Sequence, residues 1–223
     1  MLRLVRSLLG TLVCLALLLF LPAGSWDWPR GWLFFAVFTA TAIVCVAILE
    51  WVNPEVLIAR MRLFGPGTKR WDAILVMFLI PCVVAIVPVA ALDDGRFRQF
   101  PIPGWVCALG YLLLLVGFGG TTWVEAVNKF AEPSVRIQTD RGHAVVKSGP
   151  YAIVRHPLYS FTFPLVVGAA LALGSIWALV PAGIGSLLLI LRTRWEDRTL
   201  QAELPGYKEY AESVRFRLIP GVW

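Results

Sequence analysis

The chemistry this chain carries is concentrated in Ser148-Gly149-Pro150-Tyr151-Ala152-Ile153-Val154-Arg155-His156-Pro157-Leu158-Tyr159. A Gly-Pro turn, two tyrosines, an arginine and one of only 2 histidines stand there, directly before a long uncharged run. Polar density where a membrane segment begins marks a candidate site; the competing reading is a basic, aromatic interfacial anchor. Upstream lie Gln138, Arg141 and His143, the second histidine. Downstream, Arg192 and Glu196 are four apart and share one helical face, either as ligand-binding groups or as an exposed ion pair. Arg155 reads as a lipid-phosphate or structural anchor, and Trp195 as an interfacial one.

The elements that position these groups are hydrophobic. The 223 residues are 58% hydrophobic and 15% charged, against roughly 25% charged in soluble domains. An integral membrane protein follows. The net charge of +6 is segregated by loop, which argues against nucleic-acid binding. The 4 cysteines stand singly in apolar runs without metal-ligand spacing, so they are assigned no role. A membrane helix needs about 20 apolar residues, and Ser7–Trp26, Gly31–Leu49, Ala73–Leu92 and Trp105–Val124 each meet that length. The first could also be a signal peptide cleaved near Ala23-Gly24-Ser25, although the topology needs it as a span. Pro81 and Pro88 are expected to kink the third. Pro157 to Leu191 as one helix would reach roughly 52 Å, beyond a hydrocarbon core of about 30 Å. It therefore folds back near Gly174-Ser175 as a hairpin with short arms.

The expected fold is thus all-α and polytopic: about six membrane helices, the last two a tight hairpin, and a C-terminal cytoplasmic cofactor pocket. With both termini cytoplasmic, all the lysines and arginines except Arg30, Arg96 and Arg98 fall on the cytoplasmic side, as the positive-inside rule requires. A bacterial inner membrane is the expected location. Residues 1–124 form the N-terminal membrane helices; 125–223 form a loop, the hairpin and an amphipathic tail. Between the second and third spans, Asn53 is placed to cap a short helix opened by Pro54. Val56, Leu57, Met61 and Leu63 would lie on the membrane surface, with Arg60 and Arg62 toward lipid phosphates. Three polar groups converge on one face: Gln138–Tyr159, the hairpin mouth at Arg192 and Glu196, and the basic tail. Two histidines without carboxylate or cysteine at ligand spacing exclude a convincing metal site. No P-loop is present, and Gly117-Phe118-Gly119-Gly120 reads as a close helix contact.

His143-Ala144-Val145-Val146-Lys147-Ser148-Gly149-Pro150-Tyr151, Arg155-His156-Pro157-Leu158-Tyr159, Arg192-x3-Glu196-Asp197-x2-Leu200 and the ending from Leu204 to Pro220 together resemble the isoprenylcysteine carboxyl methyltransferase family. The likeness is to its bacterial-type branch, related to phospholipid methyltransferases, and covers roughly Glu125 to Trp223. It implies S-adenosyl-L-methionine (SAM) as cofactor, in a pocket lined by Gln138, His143, Ala144, Val145, Val146, Tyr151, His156, Tyr159 and Glu196. It also implies Arg192 as the catalytic residue that orients the methyl acceptor. The residue types agree. Glu196 suits an ammonium, and the histidines and the backbone around Gly149 suit a carboxylate or ribose. Tyr151 and Tyr159 offer ring faces to adenine or sulfonium. Where the family often has two glutamates, this chain has Glu196-Asp197.

The implied acceptor is lipid-like. An isoprenylcysteine-type carboxylate is already nucleophilic, so the enzyme has mainly to align it and exclude water. A phospholipid amine would need a base, for which Glu125 and His156 are candidates. An NADPH-dependent sterol-type reductase, expected to carry extra basic groups for the 2′-phosphate, and a non-enzymatic membrane protein are the competing classes.

Overall fold

The computed structural model describes residues 2–98 and 100–223, with side chains from Leu4 onward. The Arg3 side chain, counted above toward the N-terminal charge, and Gln99 lie outside the described residues. The described residues form eight α-helices: α1 (Leu2–Ala23), α2 (Pro29–Val52), α3 (Pro54–Arg60), α4 (Arg70–Ala90), α5 (Gly104–Val127), α6 (Pro157–Ala172), α7 (Leu179–Glu203) and α8 (Tyr207–Ser213). No strand occurs among the described residues. Leu4–Ala23, Pro29–Val52, Arg70–Phe97 and Gly104–Val127 are long and apolar enough to cross a membrane. The architecture is that of an all-α, polytopic membrane protein.

α4 runs through Pro81 and Pro88 and continues as a π-helix over Ala91–Phe97, carrying Asp93, Asp94 and Arg96 beyond the expected end at Leu92. The wider turn closes with Arg98 N–H donating to the Asp93 carbonyl. α6 and α7 form the expected hairpin. Its turn holds Gly174 at φ +79, with Gly174 and Ser175 N–H groups returning to Leu171 and Ala170 carbonyls. The arms are unequal: α6 has 16 residues and α7 has 25. At about 1.5 Å per residue α6 reaches only about 24 Å, short of a full crossing.

α5 and α6 touch through glycines. A Cβ on Gly110 would stand 2.3 Å from the Ala172 amide nitrogen, and one on Gly168 would stand 2.4 Å from that of Leu114. Within the glycine-rich run, Gly117 meets Leu165 and Gly120 meets the Phe161 ring, while Gly119 faces open space. Small residues at such contacts let membrane helices approach closely, so the run serves packing.

The chain divides into two compact units. One comprises Met1–Val44, Ile80–Phe118 and Pro164–Gly185, with a core that includes Leu19, Trp28, Phe34, Ile86, Leu114 and Ala170. The other comprises Cys45–Leu79, Gly119–Phe163 and Ser186–Trp223, and it contains every residue expected in the cofactor site. In this second unit α3 departs from expectation. Asn53 makes no side-chain cap; its Nδ2 donates to the Glu125 carbonyl at 2.7 Å. Val56 is fully buried with Leu49 and Ala131 rather than on the membrane surface, and Arg60 pairs with Glu125 at 3.0 Å rather than with lipid phosphate. Leu57 packs partly against the same cluster, while Met61 and Leu63 are exposed as expected.

Candidate active site

The Gly-Pro turn and the hairpin entrance are held from below by one carboxylate. Asp197, on α7, has no exposed surface. It accepts Arg155 Nε at 2.7 Å and Nη2 at 3.1 Å, Arg217 Nε at 2.8 Å, Gln201 Nε2 at 2.9 Å and the Tyr207 hydroxyl at 3.1 Å. His156 Nε2 lies 3.3 Å away. Arg155 spends its remaining donors on the carbonyls of Val214 and Arg215. Its guanidinium is 5% exposed, so Arg155 is a buried structural anchor and not a lipid-phosphate contact. The backbone repeats the connection: Arg155 and His156 N–H groups donate to the carbonyls of Phe216 and Arg217, both at 2.9 Å. A buried charge survives only when paired and hydrogen-bonded, and Asp197 meets that condition with several donors at once.

Above this hub lies a cleft lined by all nine expected cofactor residues: Gln138, His143, Ala144, Val145, Val146, Tyr151, His156, Tyr159 and Glu196. It opens to solvent and is narrow, with a cavity volume of about 100 Å³. Glu196 neighbours Asp197 yet projects differently. Its side chain is 21% exposed, it accepts the Tyr159 hydroxyl, and His156 Nδ1 is 4.0 Å away. The backbone N–H and C=O groups of Ala144, Val145 and Val146 have no hydrogen-bond partner among the described residues. Unpaired backbone beside a cleft is available to a ligand.

Other expected residues are already engaged. Gln138 is 2% exposed, donates through Nε2 to the Phe130 carbonyl at 2.8 Å and accepts from Arg141 at 2.8 Å, so its side chain holds the loop together. His143 stacks at 4.7 Å on Phe130, and its Nδ1 accepts the Gln138 N–H at 3.3 Å. Burial holds the His143 imidazole below its ordinary value, and Arg136 adds to the effect. The Tyr151 hydroxyl accepts Asn128 Nδ2 at 2.6 Å, and the Tyr210 hydroxyl donates to the Tyr151 carbonyl at 2.7 Å. Burial raises the Tyr151, Tyr207 and Tyr210 phenols above their usual range, keeping them protonated. Tyr159 lies parallel to the His156 ring at 5.9 Å and has the Arg192 guanidinium over its face at 5.4 Å. That face is therefore not open to a ligand.

Arg192 does not pair with Glu196. Its Nε and Nη2 hold the two oxygens of Asp72 at 2.7 and 3.1 Å, and Nη2 also donates to the Pro133 carbonyl at 2.6 Å. Asp72, in the first turn of α4 and fully buried, takes the Val135 N–H as well. Arg192 Nη1 has no partner among the described residues. The guanidinium stands behind Tyr159, outside the lining of the cleft. Sequence reasoning missed Asp72, Asp197, Tyr207, Tyr210 and Arg217. The signal for Asp72 was available: it is an acidic residue opening an apolar run, where an ionised group needs a partner.

Residues that could feed a metal site are absent among the described residues, with no group of three or more His, Cys, Asp or Glu placed to hold an ion. No curated protein matches the chain. Residues 105–204, which run from the start of α5 through the loop to the end of the α6–α7 hairpin, match the family model for phospholipid methyltransferase (PEMT). That match, on helices built for a membrane, supports a membrane methyltransferase acting on lipid-like substrates.

Proposed function

We propose that this chain is a SAM-dependent methyltransferase of the membrane, with residues 125–223 as its methyltransferase region and both termini in the cytoplasm. The observation that carries the reading is the pairing of an accessible, cation-free carboxylate, Glu196, with the unpartnered backbone of Ala144, Val145 and Val146 on one cleft. The residues fit the cofactor's donor and acceptor set. Glu196 would hold its ammonium, the 144–146 backbone would hydrogen-bond the adenine edge, and His156 would take the carboxylate or ribose. Bound SAM would supply an electrophilic methyl group on its sulfonium. Tyr159 fixes the Glu196 carboxylate from one side while its own ring is fixed by His156 and Arg192. Gln138 and His143 keep the opposite wall in register. The cleft is tight, so a ligand of this size widens it on entry, and the stretch 144–147, partly exposed and without hydrogen bonds among the described residues, is the wall able to yield.

Arg192 would orient the acceptor through Nη1, the edge that Asp72 leaves free. An acceptor carboxylate of the isoprenylcysteine type fits best, because it needs no base. Glu125 is ion-paired with Arg60, and His156 has Nε2 turned to Asp197 and Tyr207 and its other edge assigned to the cofactor, so neither stands free to deprotonate an amine. A phospholipid amine is the second reading, favoured by the family match. The reductase class is disfavoured because Arg136, the cleft's candidate for a 2′-phosphate, is already held by Glu132 and Asp140.

Calorimetric titration of the detergent-purified protein tests the proposal, with S-adenosylhomocysteine and NADPH in separate runs. Binding of the first alone, lost in Glu196→Ala with folding intact, is expected. Binding of NADPH alone moves the assignment to the reductases, and binding of neither removes the cofactor site.

A further inference from the structure

Away from that cleft, one buried carboxylate has no cation paired with it among the described residues. Asp93, in the π-helical extension of α4, is 6% exposed. Its neighbour Asp94 is neutralised by Arg30 and also takes the Trp28 indole N–H at 2.8 Å. Asp93 forms no ion pair among the described residues. Its one side-chain partner is the Ser175 hydroxyl, which donates to Oδ2 at 2.7 Å and in turn accepts the Ala178 N–H at 3.0 Å. An unpaired carboxylate in a membrane protein is costly, and a partner is the usual explanation for its retention.

Oδ1 has no hydrogen-bond partner among the described residues, and Asp93 lines a cavity of about 190 Å³ with Val89, Leu92, Phe97 and Trp177. The Trp177 and Phe97 rings are exposed by 51% and 59%, and Phe100 sets its ring against Trp177 at 6.2 Å. Arg96 lies over Phe97 at 5.7 Å, whereas no cation lies over the Trp177 ring among the described residues. A carboxylate and a half-exposed indole lining one cavity suit an organic cation rather than a metal ion. Apolar Val89 and Leu92 suit its alkyl groups.

We infer that this cavity binds an organic ammonium group, with Asp93 as its counter-ion and Trp177 as its aromatic wall. The site shares no residue with the cleft around Glu196, and the inference is independent of the methyl-transfer reading. The ammonium could be that of a free amine or of a lipid headgroup.

The test titrates the full chain in maltoside detergent with choline, with the neutral carbon isostere of choline, and with soluble short-chain phosphatidylcholine. Choline should bind at least about tenfold more tightly than its isostere, a gap of about 1.4 kcal/mol. Asp93→Asn keeps the acceptor for Ser175 but removes the charge, and should weaken binding by a similar factor; Trp177→Leu provides a second variant. Binding of the short-chain lipid without binding of choline assigns the site to a headgroup, and binding of both assigns it to the ammonium alone. Each variant should titrate S-adenosylhomocysteine as the parent does, which separates this inference from the proposed activity. Equal binding of the isostere, indifference to Asp93→Asn, or no binding of either cation overturns it.

Discussion

Asp197→Asn should strongly destabilise the fold although it changes only one atom type. On Oδ2 three donors converge: Arg155 Nη2, Arg217 Nε and Gln201 Nε2. On Oδ1 two more do, Arg155 Nε and the Tyr207 hydroxyl. An amide placed either way turns one acceptor into a donor facing donors. It also leaves Arg155, which is 6% exposed, without a counter-charge. Removing one partner of a buried pair costs about 3–5 kcal/mol. For a chain of this length that lowers the unfolding midpoint by about 6–20 °C. The assay is thermal unfolding in detergent, read by intrinsic fluorescence, next to Glu196→Gln. Glu196 is partly exposed and makes one short hydrogen bond, so Glu196→Gln should melt close to the parent while losing S-adenosylhomocysteine binding. The two neighbours thus separate folding from binding. An Asp197→Asn midpoint within about 2 °C of the parent, less than the shift expected from 1 kcal/mol, would refute the reasoning.

Arg192→Met alone leaves Asp72 buried and unpaired and should cost about 3–5 kcal/mol, whereas Asp72→Leu/Arg192→Met should recover part of that loss; strict additivity in chemical denaturation would show that the two are not coupled. Gly110→Ala and Gly168→Ala drive a methyl into neighbouring backbone and should destabilise by about 1–3 kcal/mol, while Gly119→Ala, facing open space, should be neutral in the same melts. His143 has its imidazole held below 6.5 by burial, so the unfolded chain takes up its proton first. Stability should therefore fall as pH is lowered through 6.5 and go on falling until the folded-state value is passed. His143→Phe should show a shallower decline, and an identical slope in the two proteins would remove His143 as its source.

The membrane helices and the hairpin turn were legible in the sequence because uninterrupted apolar runs have lengths that the bilayer fixes. The nine residues expected to line a cofactor site came from the family resemblance, and the structure brings all nine to one cleft. Which of them stay free to bind could not be read, since that depends on partners distant in sequence. Gln138 is consumed by Phe130 and Arg141, and Tyr159 by Arg192 and Glu196. The i, i+4 spacing of Arg192 and Glu196 suggested an ion pair, but the guanidinium found Asp72, 120 positions away. A fully desolvated carboxylate outcompetes one that water still solvates. Asp93 lay just past the last apolar residue expected in its helix, and only the π turn carries it into the packed interior.

Arg155 and His156 complete their backbone pairing with Phe216 and Arg217, and Tyr207 and Tyr210 close the same cleft. During synthesis, α1 through α7 are all made before these partners exist. Insertion into the bilayer and competence to bind are therefore separate events, and the second waits for the tail. A chain cut after α7 would retain every membrane helix yet leave Arg155 beside Asp197 with the hub half built. Quality-control proteases that sample that tail would in effect be reading whether the site has been assembled.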